Sequence, residues 1–225
     1  MRYQSIAVDG PAGAGKSTLA KRLAQELQFL YVDTGAIYRT VGLQAFRKGI
    51  SPTDRTAVVA LLPGIQIQIS YGEDGLQRMF LNGEDVTEEI RKNEISRYAS
   101  GVSAIPEVRA YLLEFQREFA KAHNVIMDGR DIGTVVLPHA DVKIFLTASV
   151  EDRARRRHLE LLERGEDADY QQVLREMEER DRNDTNRAAA PLKQAADAVV
   201  VDTTGNLLEE SLDALRTVIK ERLQA

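Results

Sequence analysis

The spacing of apolar residues switches between two rhythms along this chain. Ile6-Ala7-Val8 is an uninterrupted apolar run closed by Asp9-Gly10, which predicts a buried strand. A glycine-rich loop follows, and then Leu19, Leu23 and Leu27 recur at helical spacing. Phe29 to Val32 predicts a second strand, and Ala36 to Lys48 a helix stopped by Gly49. Ser51-Pro52 predicts another helix start, with the serine as cap and the proline in the first turn. That helix carries Val58, Val59, Leu61 and Leu62 and breaks at Pro63-Gly64. The rhythm then becomes two: Ile65, Ile67 and Ile69 alternate with Gln66, Gln68 and Ser70, a strand with one buried face. Gly72 to Gly75 makes a turn, Gln77 to Leu81 a further strand, and Asn82-Gly83 is a hairpin signal. Roughly residues 65 to 90 therefore read as an antiparallel insertion.

Helical spacing returns at Pro106, with Val108, Leu112, Phe115 and Phe119 on one face. Val125-Ile126-Met127, ending in Asp128-Gly129, is a third core strand, Val142 to Leu146 a fourth and Val199 to Val201 a fifth. Between the last two, Ser149 and Asp152 open a charged helix that stops at Gly165, and a polar helix spans about Asp169 to Arg182. Asn206 with Glu209 opens the last helix. Five short apolar strands separated by helices predict an α/β fold with an open parallel five-stranded sheet. In such sheets ligands sit at the carboxyl ends of the strands.

Composition narrows the chemistry. The 225 residues suit one domain with a small inserted piece, and 43% hydrophobic content is enough for a core. A net charge of −5 argues against non-specific nucleic-acid binding, so substrate phosphates must be met by local arginines. The absence of cysteine excludes disulfides and thiol catalysis, and the three histidines, His123, His139 and His158, have no metal-ligand spacing. The apolar part of the N-terminus is too short for a signal peptide and no later run approaches a membrane span, so a cytoplasmic location is expected. No heptad seam or large exposed apolar stripe is evident, and a monomer is the expectation.

Gly10-Pro11-Ala12-Gly13-Ala14-Gly15-Lys16-Ser17 fits the phosphate-loop pattern at every fixed position, between a strand and a helix, with Thr18 next. Glycines let the backbone curl so that N–H groups point at phosphate oxygens, and the following helix adds its positive end. Lys16 reaches the β- and γ-phosphates of ATP, and the Ser17 hydroxyl suits Mg²⁺. The motif alone does not separate a kinase from a GTPase.

Arginines fill the acceptor side. Asp33-Thr34-Gly35 follows the second strand, with Tyr38-Arg39 one turn on; a capped helix with a surface arginine explains this segment equally well. Asp128-Gly129-Arg130-Asp131 follows the third strand. Asp128 is a candidate partner for Mg²⁺ through water, Arg130 for an acceptor phosphate, and Asp131 for a base amino group. Arg153, Arg156 and Arg157 share a helix face, where like charges repel unless an anion such as the transferring γ-phosphate lies between them; a basic solvated face is the equal alternative. Arg187 is a candidate for phosphate and Asp184 for a ribose hydroxyl, against a salt-bridged helix end. Phosphoryl transfer needs charge neutralisation and in-line positioning more than a covalent group, so no phospho-enzyme is expected.

The segments Gly10 to Thr18, Asp33-Thr34-Gly35-Ala36-Ile37-Tyr38-Arg39, Asp128-Gly129-Arg130-Asp131-Ile132-Gly133-Thr134, and Arg180-Asp181 through Asn186-Arg187 together resemble the bacterial cytidylate kinases. The likeness runs from Gly10 to Asp202. It implies transfer of the γ-phosphate of ATP to CMP or dCMP. It also implies a core (about 1–33, 105–150 and 185–225), a monophosphate-binding region carrying the β insertion (about 34–104) and a helical lid (about 151–184). By this resemblance the cytosine contacts fall on Ser100, Arg109 and Asp131, and the ribose contacts on Arg180 and Asp184. The acceptor-phosphate contacts fall on Arg39, Arg130 and Arg187 with Thr34 and Tyr38 nearby, and the lid arginines are Arg153, Arg156 and Arg157. Asp202-Thr203-Thr204-Gly205 would hold adenine. Thr34 stands where serine is frequent in the family, which keeps the hydroxyl. A guanine-reading Asn-Lys-x-Asp segment, which a regulatory GTPase needs, is absent. A kinase of UMP, AMP or shikimate, or a relic that only binds nucleotide, remains as the alternative.

Overall fold

A computed structural model describes residues 2–223. In chain order the elements are β1 (Ser5–Asp9), α1 (Lys16–Leu27), β2 (Leu30–Asp33), α2 (Thr34–Arg47), α3 (Arg55–Leu61), β3 (Ile67–Tyr71), β4 (Gln77–Leu81), β5 (Glu84–Asp85), α4 (Asn93–Ser103), α5 (Pro106–Ala122), β6 (Val125–Gly129), β7 (Val142–Thr147), α6 (Val150–Glu163), α7 (Tyr170–Asn186), β8 (Val199–Asp202) and α8 (Leu208–Leu223). A single π-turn, Ile132–Val136, follows β6. The main sheet has the order β2-β6-β1-β7-β8, and a second sheet has the order β3-β4-β5. β1 runs parallel to both β6 and β7, and β7 parallel to β8. The chain crosses from one side of β1 to the other between β6 and β7, so the carboxyl end of β1 lies at the switch point where such sheets bind ligands.

The chain divides into two compact units, one built on residues 31–123 and the other on 4–30 and 124–223. In the second unit Ile6, Ala7, Val8, Val125, Ile126 and Met127 are fully buried, as parallel strands covered on both faces require. Leu19, Ala20, Leu23 and Ala24 form the buried face of α1. In the first unit the insertion is a three-stranded antiparallel sheet rather than a simple hairpin. Asn82 and Gly83, both at positive φ, turn β4 back into the two-residue β5. The insertion is tied to the end of β2: the Tyr71 hydroxyl donates to the Tyr31 carbonyl at 2.8 Å, and the Asp33 N–H donates to Gln77 Oε1 at 2.7 Å.

Several expected boundaries move. The second strand runs Leu30–Asp33, and α2 already starts at Thr34 because Asp33 caps it, its carboxylate accepting from the Ala36 N–H. The helix expected to open at Ser51-Pro52 opens at Arg55, because Asp54 is the residue whose side chain accepts from Ala57 N. Ser51 is instead occupied with Thr53. Ser149 caps α6 as expected, accepting from Asp152 N, and Gly165 at φ +74 ends that helix region. α7 continues past Arg182 to Asn186. The last helix starts one residue late, since Glu210, not Glu209, reaches back to a backbone N–H, that of Leu207.

Candidate functional site

The phosphate loop links β1 to α1 in the second unit. Gly10 lies at φ +148, and a Cβ there would fall 1.9 Å from the Leu146 carbonyl oxygen, so only glycine fits. Gly13 is exposed at φ +74 beneath the Met177 side chain and Arg153. Gly15 leaves the backbone left-handed as the N-terminal residue before α1, so the helix starts without a side-chain cap. Its first N–H groups are thus open to an anion.

Lys16 is buried and folds back so that Nζ donates to the Pro11 carbonyl at 2.7 Å. Its pKa is lowered to about 7, chiefly by burial and next by the charge of Arg130, with Arg180 adding, while Asp128 and Asp9 oppose. A cradle in which an ammonium is this uncomfortable is a cradle short of negative charge. The exposed Ser17 hydroxyl donates to Asp128 Oδ2 at 2.7 Å, and Asp128 is itself buried. Hydroxyl and carboxylate side by side at the loop mouth suit a hard cation that keeps most of its ligands as water and phosphate oxygen. Among the described residues no group of three His, Cys, Asp or Glu forms a dedicated metal cage.

The acceptor-side residues of the second unit form one half-buried network around the buried Asp131. Arg130 Nε donates to Asp184 Oδ2 at 2.8 Å. Arg187 reaches Asp131 Oδ1 at 3.5 Å and Asp184 Oδ1 at 3.8 Å. Burial pushes the Asp184 carboxyl up, but Arg130, Arg180 and Arg187 outweigh it and hold the group below its ordinary value. Four residues from two segments, the turn after β6 and the end of α7, thus present guanidinium and carboxylate groups together, the set needed to hold a phosphate and polar sugar or base edges.

The arginines of α6 depart from the expected repelling face, because carboxylates neutralise each of them. Arg153 is 4% exposed and its guanidinium is largely committed: Nε donates to Ala148 O at 2.9 Å, Nη1 to Ala12 O at 3.0 Å, and both terminal nitrogens to Asp181. It ties α6 and α7 to the phosphate-loop backbone. Arg156 pairs with Asp152 and donates to the Thr203 carbonyl. Arg157 pairs with Glu160 on its own helix. Asp202 and Thr204, in the segment expected at adenine, bond each other, so the loop after β8 is a self-capped turn.

The remaining expected residues lie in the first unit. Asp33 Oδ2 accepts from Arg39 Nη2 at 2.6 Å, while the Arg39 Nε is buried without a partner. Thr34 is buried at the start of α2. The Arg109 guanidinium lies 5.2 Å from the Tyr38 ring centroid and donates to Ser103 O at 3.1 Å. Ser100 is exposed on α4, one turn before Ser103.

Two carboxylates escaped the sequence reading. Asp9 accepts from the N–H groups of Ile132 and Gly133, each at 2.7 Å, and burial raises its pKa to about 6 against those two bonds, with Asp131 pushing the same way. The available signal was a carboxylate ending an apolar strand immediately before the glycines. Asp181 lay inside a segment read for its arginines; its role at Arg153 has no local signature.

A family model described as cytidylate kinase matches residues 6–221. The chain is 55% identical to a cytidylate kinase of Caldicellulosiruptor bescii, over 94% of this chain and 93% of that one. It is 51% identical to a cytidylate kinase of Carboxydothermus hydrogenoformans, over 95% and 96%. Among solved structures, one titled as an uncharacterized protein from Eubacterium ventriosum superposes with TM-score 0.54 at 13% identity, covering 97% of this chain and 99% of that one, a likeness of fold alone.

Proposed function

Because the chain belongs to the cytidylate kinase family, we propose that it transfers the γ-phosphate of ATP to CMP or dCMP, giving ADP and CDP or dCDP. The observation that carries this reading is electrostatic. Lys16 of the donor cradle sits within the field of Arg130 and Arg180, whose charges lower its pKa in the free protein. Donor-side and acceptor-side cations crowd one region that two phosphates would neutralise.

In this reading the loop from Gly10 to Thr18 binds the ATP phosphates through its N–H groups, and Lys16 swings from Pro11 O to the β- and γ-phosphates. Arg130 and Arg187 hold the acceptor phosphate, Asp184 and Arg180 the ribose, and Asp131 accepts from the cytosine amino group. In the first unit, Thr34, Tyr38, Arg39, Ser100 and Arg109 are the residues that the family resemblance assigns to the acceptor. Ser17 and, through water, Asp128 would hold Mg²⁺, which when bound supplies charge neutralisation on the phosphate oxygens. Residues 151–184 act as a lid, with Arg157 able to exchange its solvent-facing partner Glu160 for phosphate, as such ion pairs are weak, while Arg156 would have to leave Asp152 and the Thr203 carbonyl to do the same. The enzyme works as a monomer in the cytoplasm. No helix among the described residues is long and apolar enough to cross a membrane, in keeping with that reading.

The test is a coupled ADP-release assay with CMP, dCMP, UMP, dTMP, AMP and shikimate as acceptors. CMP and dCMP should give the highest kcat/KM; activity confined to a non-nucleotide acceptor would overturn the proposal.

A further inference from the structure

Asp9 takes no part in the transfer described above, yet it is 4% exposed and both its oxygens are taken by backbone N–H groups rather than by a cation. A buried carboxylate costs folding free energy unless its bonds offset it. Its position says what those bonds accomplish. Asp9 is the last residue of β1, and the next residue, Gly10, opens the phosphate loop. Its register partner on β6 is Gly129, after which come Arg130 and Asp131. The π-turn that follows hangs on the Asp131 carbonyl, which accepts from Val135 N at 2.8 Å and Val136 N at 3.1 Å. Asp9 grips this turn at Ile132 and Gly133, immediately beyond Asp131.

We propose that Asp9 is a positioning residue for the acceptor: its carboxylate fixes the Asp131–Gly133 backbone to the root of the phosphate loop and thereby aims Asp131 at the base and Arg130 at the acceptor phosphate. The inference rests on the CMP reading above. An amide cannot replace the carboxylate, because one of its two ends is a donor and would face an N–H donor. Both bonds end on the Ile132 and Gly133 N–H groups and neither on an N–H of the phosphate loop, so the effect should fall on the acceptor.

Asp9→Asn is expected to raise the KM for CMP at least about tenfold and to leave the KM for ATP within about threefold. It should also lower the CMP-to-UMP preference at least about fivefold. Gly133→Ala perturbs the same contact from the other side, since its methyl would lie 3.3 Å from Asp9 Oδ2 and 3.2 Å from Lys143 Cδ. It should show the same split, and it decides the matter by the same criteria if Asp9→Asn does not fold. A wild-type protein inactive on CMP would sink the functional reading itself. An active wild type whose variant raises both KM values equally, or keeps the CMP KM and base preference unchanged, would overturn the role of Asp9 alone.

Discussion

ATP binding at neutral pH should draw a proton into the protein, and Lys16 is the reason. In the free state the ammonium is buried, bonded only to a carbonyl, and faces Arg130 and Arg180, so its pKa stands at about 7 rather than 10.5. Triphosphate oxygens at Nζ would restore the charged form. With a free pKa of about 7, linkage puts the uptake at roughly 0.1 proton per ATP at pH 6, about 0.5 at pH 7 and about 0.9 at pH 8. The γ-phosphate of ATP is already ionised at pH 8, so the lysine dominates there. Isothermal titration calorimetry with ATP and no acceptor, in two buffers of different ionisation enthalpy, measures the uptake directly. Lys16→Arg is the control: it keeps a cation that does not titrate in this range, and the uptake should vanish while ATP still binds. Uptake below about 0.2 proton at pH 8, or a value that does not grow with pH, would refute the reasoning that burial and neighbouring arginines depress this lysine.

Arg153→Lys keeps a charge but cannot serve Ala12 O, Ala148 O and Asp181 together; thermal unfolding should show a loss of about 3 kcal/mol, a fall of roughly 6–12 °C. An unchanged Tm would contradict the commitment of that guanidinium. Arg130→Ala should raise the acceptor KM and lower kcat together if, as proposed, it touches the reacting group, and steady-state kinetics with an unchanged kcat would contradict that role. Asp131→Ala should cut the cytosine-over-uracil preference at least about tenfold in competing-substrate assays, since in the proposed reading the base amino group loses a buried partner. Stability should also respond to pH in two windows. The native state holds the Asp9 proton more tightly than the unfolded chain, so Asp9 makes stability fall as pH rises from 3.8 to about 6. The unfolded chain holds the Lys16 proton more tightly, so Lys16 makes stability rise from about 7 towards 10.5. Chemical denaturation across pH, comparing wild type with Lys16→Met, reads the second window.

Features built from local sequence were legible. The phosphate loop, the alternation at Ile65 to Ile69, the Asn82-Gly83 turn and the Ser149 cap each depend on residues a few positions apart, and each stands in the structure. Cap choice was harder: Ser51 and Asp54 are both good caps, and the winner was the one whose carboxylate meets the Ala57 N–H. Long-range pairing could not be read at all. Like charges in Arg153, Arg156 and Arg157 are visible in the chain, but the carboxylate that binds Arg153 lies 28 residues away at Asp181. Asp9 looks like the end of a strand until its partners, 123 and 124 positions on, are seen above it. Arg130, Asp131, Asp184 and Arg187 could be grouped only through the family resemblance, since Arg130 and Asp184 are 54 residues apart and their ion pair has no local signal.

The bonds from Tyr71 and Gln77 to the end of β2 make the small sheet more than an ornament. Shortening the chain by cutting out residues 65–90 would remove the Tyr71 and Gln77 bonds at the very point where Asp33 both caps α2 and restrains Arg39. A trimmed version of this protein therefore needs replacements for those two bonds, or Asp33 will hold the start of α2 and the Arg39 guanidinium less firmly. Engineering a smaller enzyme from this scaffold begins with that repair.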